Sequence, residues 1–430
     1  MKGKKRHDFV YRASWMIFHR FFARKFNMEY DSINTGQPPC IIIANHATNW
    51  DPVLIGLSFG RNMYYVATDH VFRMGIISKL LVYLFSPIAR AKTMQETQTV
   101  ITIFRRLRDK CNICIFAEGN ATYDGETGEI QPSIGKLIKR AGVTLVTYRF
   151  KGSYLSFPRW ARYIRKGKIE GRLVRIYSPE EIASMSENEI YEAVKKDINV
   201  SAYTDQEKDP VAFRGKKRAE YLETILYCCP ECRQFSTLTS YGDILSCSCG
   251  FRVFYNEYGY FEHADGSLAK GDANSAANSG AQLPFNTITD WIKWERKEVD
   301  TFAGTLADHD RDTPVFCDDN QVLYEVERAR GIIFIANGKL CLYKDRLTLK
   351  TPEKTIDFPL EKIHEMSGFA MQKIIFSTNE NKLYEIHSKH IRSALKYLDM
   401  FKVIKTNASL SAPLSAPLTA PLTVKITAKE

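Results

Sequence analysis

The chain has 430 residues, which excludes a single core of ordinary size and leads us to expect two or three domains. Its 44% hydrophobic and 25% charged residues are those of a soluble globular protein. The formal charge of +11, from 60 Lys and Arg against 49 Asp and Glu, favours anionic partners without choosing among nucleic acid, an anionic membrane surface and phosphorylated substrates.

The start, Met1-Lys2-Gly3-Lys4-Lys5-Arg6, is basic, but no signal-peptide core with a small-residue cleavage site follows. The apolar residues Trp15 to Phe22 are soon interrupted by His19, Arg20, Arg24 and Lys25, too short and too charged a run to span a bilayer. Residues 1–29 therefore read as a basic, aromatic helix at a membrane interface, or as a helix covering one side of the first domain. No other segment reads as a transmembrane span, so the simplest location is cytoplasmic and peripheral on the inner face of a membrane.

Cys40-Ile41-Ile42-Ile43-Ala44 reads as a short buried strand after Pro38-Pro39. It leads into Asn45-His46-Ala47-Thr48-Asn49-Trp50-Asp51. A His at a strand end with an Asp five positions on can be a base and the carboxylate that orients it; a loop His followed by an Asp helix cap is the plainer alternative. Next come a strand at 63–68, an apolar helix at 72–85 that is buried or leans on lipid, and the stub Pro87-Ile88-Ala89-Arg90. A basic helix at 97–110 precedes the strand 112–116, which ends at Ala117-Glu118-Gly119-Asn120. A helix at 133–141 and a strand at 143–148 complete an alternation that predicts an α/β domain, with His46, Arg90 and Glu118 on loops at strand ends.

Together these loops resemble the glycerolipid acyltransferase family, in particular the 1-acylglycerol-3-phosphate (lysophosphatidate) acyltransferase group, over residues 30–175. The family's Asn-His-x4-Asp motif is matched by Asn45, His46 and Asp51. Its second motif is approximated by Ile88-Ala89-Arg90, its third by Phe116-Ala117-Glu118-Gly119-Asn120-Ala121-Thr122, and its fourth by Val143-Thr144-Leu145-Val146. Ala121 stands where the family has Arg, and Ala117 and Thr144 where it has Pro. The resemblance implies an O-acyltransferase with His46 as base and Asp51 as its orienter, Arg90 binding the acceptor phosphate, and Glu118 and Gly119 shaping the acceptor site. The acceptor would be a lysophospholipid such as 1-acyl-sn-glycerol-3-phosphate, giving phosphatidic acid, and the donor acyl-CoA or an acyl carrier protein. The lost Arg at Ala121 leaves a lysophospholipid with a larger head group open.

Residues 151–168, rich in aromatics and cations, could meet lipid head groups or the phosphates of coenzyme A, or form a solvated hairpin. Ser178-Pro179 starts one helix and the capping box Ser186-x-x-Glu189 another; the stretch through 214–218 is polar and helical in parts. Cys229-x2-Cys232 and Cys247-x-Cys249-Gly250 have the spacing of two zinc-ribbon knuckles and predict a structural zinc, with Cys228 spare and disulfides as the alternative. The remaining cysteines read as core residues. An aromatic hairpin at 251–261, a flexible linker at 266–280 and an amphipathic helix at 285–303 follow. Eight apolar runs between 321 and 386 and a helix at 391–403 then outline a pleckstrin-homology (PH) or GRAM-like barrel. The Ser-Ala-Pro-Leu repeats of the tail read as disordered.

The expected architecture is thus an α/β acyltransferase domain with a mixed sheet (30–222), a zinc ribbon (225–263), a linker (264–284), a helix with a β-rich PH/GRAM-like barrel (285–404) and a tail (405–430). Two other functions fit part of the sequence: a zinc-ribbon nucleic-acid-binding protein, disfavoured because the basic residues are dispersed, and a lipid-binding adaptor with an inactive enzyme fold.

Overall fold

The computed structural model describes residues 2–36, 39–68, 82–83, 87–90, 96–264, 283–327, 331–369 and 372–411. The expected helix at 72–85 falls outside these apart from Val82 and Tyr83, as do the linker at 266–280 and the tail from 412.

The first half is built on a seven-stranded mixed sheet of β1 (Met28–Tyr30), β2 (Cys40–Ala44), β3 (Met63–Thr68), β4 (Ile88–Arg90), β5 (Asn112–Phe116), β6 (Thr144–Lys151) and β7 (Ile169–Tyr177). The strand order is β1-β7-β6-β2-β5-β3-β4, and among the described residues only the β6–β7 ladder is antiparallel. β2 lies between β5 and β6 with all five side chains buried, as a strand covered on both faces must be. One face packs Cys40, Ile42, Ala44, Phe116 and Val146 with Leu54 and Ile55 of α2 (Asp51–Phe59). The other packs Ile41, Ile43 and Ile113 against α3 (Glu96–Arg108), α4 (Ser133–Ala141) and α7 (Glu187–Asp197). α1 (Lys2–Lys25) falls within the helix read over 1–29. It docks on α2 through Tyr11 Oη to the Gly56 carbonyl at 3.1 Å and Trp15 Nε1 to the Leu57 carbonyl at 3.3 Å. Phe9, Met16, Ile17, Phe18 and Phe21 remain exposed along it. No described helix is long and apolar enough to cross a membrane.

The hairpin offered as one alternative for 151–168 is not formed: after Lys151 comes a short helix, α5 (Ser153–Ser156), followed by turns. Ser178 and Ser186 cap α6 (Pro179–Ser184) and α7, the second with a complete capping box. α8 (Ala202–Lys208) follows, but residues 214–218 are not helical. There Arg214 bridges Lys166, and Lys217 takes a left-handed φ of 58° that breaks any helix.

The cysteine-bearing segment is a four-stranded antiparallel sheet, β8 (Leu238–Tyr241), β9 (Ile244–Cys247), β10 (Arg252–Tyr255) and β11 (Phe261–His263). α9 (Ile288–Gly304) crosses it, with Trp291 packed on Phe251, Phe261 and Phe285.

A second seven-stranded sheet follows: β12 (Phe316–Glu327), β13 (Gly331–Leu342), β14 (Arg346–Lys350), β15 (Thr355–Pro359), β16 (Ile363–Phe369), β17 (Lys373–Thr378) and β18 (Leu383–Ser388), ending in α10 (Leu395–Ser411). Its order, β15-β14-β13-β12-β18-β17-β16, leaves β15 and β16 as edges unjoined among the described residues, so the expected closed barrel is there an open antiparallel sheet. Two of the expected runs are one strand, β13. Cys317 and Cys341, read from sequence as core residues, are opposed across β12 and β13 and form a disulfide.

Candidate active site

β2 ends where its residues leave the sheet at Asn45. The Asn45 side chain accepts from Phe150 N at 2.7 Å and donates to Phe150 O at 3.2 Å, pinning the end of β2 to β6. The chain then turns so that Asp51, the first residue of α2 and followed by Pro52, faces back at His46. Nδ1 of His46 donates to Oδ2 of Asp51 at 2.8 Å, and the same oxygen accepts from Ala47 N at 2.7 Å and Thr48 N at 2.9 Å. Asp51 is fully buried, and its Oδ1 has no partner among the described residues. The carboxylate is therefore fixed by three donors and fixes the imidazole in turn. That leaves Nε2, unpartnered among the described residues, as the nitrogen that can take a proton. The His46 ring is stacked on Phe116 with centroids 4.6 Å apart.

Glu118 lies under this loop. Its Oε1 accepts from His46 N and its Oε2 from Gly128 N, both at 2.6 Å, so both oxygens serve the backbone. Gly119 has a φ of 74° and closes the turn with its N–H on the Phe116 carbonyl. The amides of His46, Ala47 and Thr48 are all spent on Glu118 and Asp51, so an oxyanion formed here must find other donors.

Burial pushes the Glu118 carboxyl up to about 8, against the two N–H donors that pull it down. An acid with a raised folded pKa contributes stability below its unfolded value near 4.5 and loses it as pH rises towards 8. The stability of the wild type relative to Glu118→Gln should therefore fall between pH 5 and pH 8. Paired denaturation curves across that range test it, and a constant difference would refute it.

Arg90 ends β4, paired with Thr68 of β3. The ladders β2–β5–β3–β4 place its backbone level with Asn45 and three strands away, about 14 Å at the usual strand spacing. Ala121 is buried. The cation beside it is Arg159, whose Nη1 donates to the Ala121 carbonyl at 2.9 Å and whose guanidinium lies 3.8 Å from the Tyr123 ring centroid. Thr122 N donates to the His46 carbonyl at 2.9 Å. Sequence reasoning gave Arg159, Thr122 and Asp124 no individual role, because their partners here are the Ala121 and His46 backbone and, for Asp124, the Thr122 hydroxyl, none of which a local pattern marks. That loop forms one wall of a cavity of about 620 Å³ whose far wall carries Arg296 of α9 and Asp399 and Lys402 of α10. A separate apolar groove of about 310 Å³ runs between α1 and α2, lined by Trp15, Phe18, Phe22, Trp50, Val53 and Leu57.

The four predicted cysteines also converge. The sulfurs of Cys229, Cys232, Cys247 and Cys249 lie within 4.8 Å of one another, with 229–249 at 3.8 Å and 232–247 at 3.7 Å. A tetrahedron of thiolates 2.3 Å from a zinc ion has edges of about 3.8 Å. Gly250, with a φ of 102°, turns the second knuckle. Cys228 points away, its thiol towards the Arg233 carbonyl.

Residues 25–151 match the family described as Acyltransferase, and the α/β domain is acyltransferase-like. No curated protein matches the chain. Among solved structures, it is similar to the 1-acyl-sn-glycerophosphate (LPA) acyltransferase PlsC of Thermotoga maritima, with 16% identity over 44% of this chain and 78% of that one and a TM-score of 0.36. It is also similar to the C-terminal domain of an unknown protein from Leishmania infantum, with 14% identity over 24% and 95% and a TM-score of 0.17. A third is the Inner Membrane Complex sub-compartment protein 3 of Toxoplasma gondii, with 15% identity over 26% and 85% and a TM-score of 0.16.

Proposed function

We propose that the chain is an O-acyltransferase that moves a fatty acyl group from an acyl thioester to the free glycerol hydroxyl of a lysophospholipid. The acceptor is 1-acyl-sn-glycerol-3-phosphate, giving phosphatidic acid, and the donor is acyl-CoA or an acyl carrier protein. The observation that carries this reading is the His46–Asp51 pair. A glycerol hydroxyl is a poor nucleophile at neutral pH and needs a base within hydrogen-bond reach as it attacks the thioester carbonyl. His46 Nε2 takes that proton while Asp51, already holding Nδ1–H, stabilises the imidazolium. The oxygen–acyl bond forms, the carbon–sulfur bond breaks, and the imidazolium returns its proton to the departing thiolate.

Glu118 and Gly119 shape the site by fixing the backbone of His46 and the turn after β5. Arg90 binds the acceptor phosphate, a task its fork of donors suits. The apolar groove beside Trp50 accepts hydrocarbon, and the exposed aromatics of α1, set among Arg12, Arg20 and Arg24, rest on an anionic membrane surface. Cys229, Cys232, Cys247 and Cys249 hold a structural zinc: four thiolates close the coordination shell, so the ion supplies folding energy and no catalysis. The second sheet is a PH/GRAM-like module by its strand number and terminal helix.

The test follows thiol release from acyl-CoA by the full chain on liposomes carrying lysophosphatidic acid. Release that depends on the acceptor and yields phosphatidic acid is expected. No release with acyl-CoA or acyl carrier protein, and with lysophosphatidic acid or lysophosphatidylcholine, from folded zinc-loaded protein would overturn the reading in favour of the lipid-binding adaptor.

A further inference from the structure

We propose that α9 couples the four-cysteine cluster to the catalytic loop, so that Thr289, Lys293 and Arg296 act as positioning residues for His46 and the metal load of the cysteines is felt there. The zinc part of this rests on the structural-zinc reading above; the path itself is a chain of contacts.

On the cluster side, Oε1 of the fully buried Glu295 accepts from Tyr227 N at 2.6 Å and Cys228 N at 2.7 Å, the two amides that precede Cys229. Trp291 Nε1 donates to the Cys228 carbonyl at 3.0 Å, and Glu298 meets Arg233, just past Cys232, at 3.8 Å. α9 thus holds both ends of the first knuckle.

On the catalytic side, Thr289 Oγ1 donates to the Asp124 carbonyl at 2.7 Å. Lys293 pairs with Glu126 at 2.9 Å and Arg296 with Asp124 Oδ2 at 3.7 Å. Asp124 is buried, and its Oδ1 accepts from Thr122 Oγ1 at 2.8 Å. Thr122 N bonds the His46 carbonyl, while Gly128 N bonds the Glu118 carboxylate that takes His46 N. The peptide groups on both sides of His46 are therefore set by a loop that α9 holds.

Thr289 and Glu298 are nine residues apart on one helix, about 14 Å along its axis, so a shift at the knuckle reaches the loop as a shift of a stiff rod. Two states exist at the cluster because a thiolate knuckle is ordered with its metal and loosened without it. Linkage makes the effect mutual: a ligand that orders the loop must tighten the metal.

The experiment uses the full chain, its zinc measured by elemental analysis. Amide hydrogen exchange is followed over 45–49, 118–128 and 227–250, before and after chelation and after zinc is returned. Chelation should speed exchange in 227–250 and, by about tenfold, the middle of the usual range for coupled sites, at Thr122 and Gly128, with zinc reversing both. In the combined variant Thr289→Val, Lys293→Gln, Arg296→Gln, chelation should still loosen 227–250 and leave 118–128 as it was. Zinc transfer to a chromogenic chelator gives a second reading that needs no metal-free protein: a non-hydrolysable acyl-CoA thioether should slow it in the wild type and not in the variant. A zinc-loaded wild type whose 118–128 exchange ignores chelation overturns the coupling and leaves the acyltransferase reading standing; a thioether without effect on zinc release, where chelation still speeds exchange at 118–128, upholds the coupling and overturns acyl-CoA as the donor. A purified chain without zinc overturns the coupling together with the zinc reading.

Discussion

His46→Ala is expected to lower kcat for acyl transfer by about 10²–10⁴-fold, the usual contribution of a positioned general base, with little change in KM. The fold should survive, because Asp51 Oδ2 keeps its bonds from the Ala47 and Thr48 amides and only one of its three donors is lost. Asp51→Asn should lose activity to a similar degree for a different reason. An amide that turns its oxygen to the Ala47 and Thr48 amides cannot also be sure of accepting from Nδ1, and an amide N–H directed at the ring forces the tautomer with the proton on Nε2, which cannot act as a base. Steady-state kinetics beside thermal denaturation separate the two. A His46→Ala protein that keeps more than about a tenth of wild-type kcat would remove His46 from the base role.

The largest stability loss is expected from Trp291→Ala. Trp291 is fully buried, touches three aromatic rings and donates to the Cys228 carbonyl. Deleting a buried Trp costs about 3–5 kcal/mol, and the carbonyl left without its donor adds about 1 kcal/mol. Trp294, three residues on and only partly buried against Phe285, is the control and should cost less. Urea unfolding of the two variants, with zinc content recorded alongside, decides the matter; equal losses would mean that α9 does not clamp the cysteine sheet through Trp291.

The parts of this fold that the sequence made legible are those whose pattern is local. Cys40–Ala44 announces a doubly covered strand, Ser186 and Glu189 a capping box, and the paired cysteines their two knuckles. What stayed hidden depends on distant partners. The apolar runs on either side of Asn337-Gly338 read as two strands, yet β13 runs straight through. Any side chain on Gly338 would lie about 2.1 Å from the Lys350 carbonyl, so the glycine serves a close approach of β14 and not a turn. Glu295 reads as one of the charges on an amphipathic helix, yet it sits on the apolar stripe of Ile288, Trp291, Ile292 and Val299, and that position was its only signal. Arg90 was legible as a strand-end cation, but its distance from β2 depends on an order of strands that no local pattern carries.

The central place of β2 also bears on how the protein is made. Its two neighbours come from residues 112–116 and 144–151, and the Asn45–Phe150 bonds that close its end join residues 105 apart. At about 5–20 residues per second, a ribosome needs roughly 5–20 s to supply the second neighbour after β2 itself has been synthesised. Until β5 is made, Cys40-Ile41-Ile42-Ile43-Ala44 is an apolar strand with both edges open, and until β6 follows one edge stays open, the kind of segment that pairs with another nascent chain if nothing shields it.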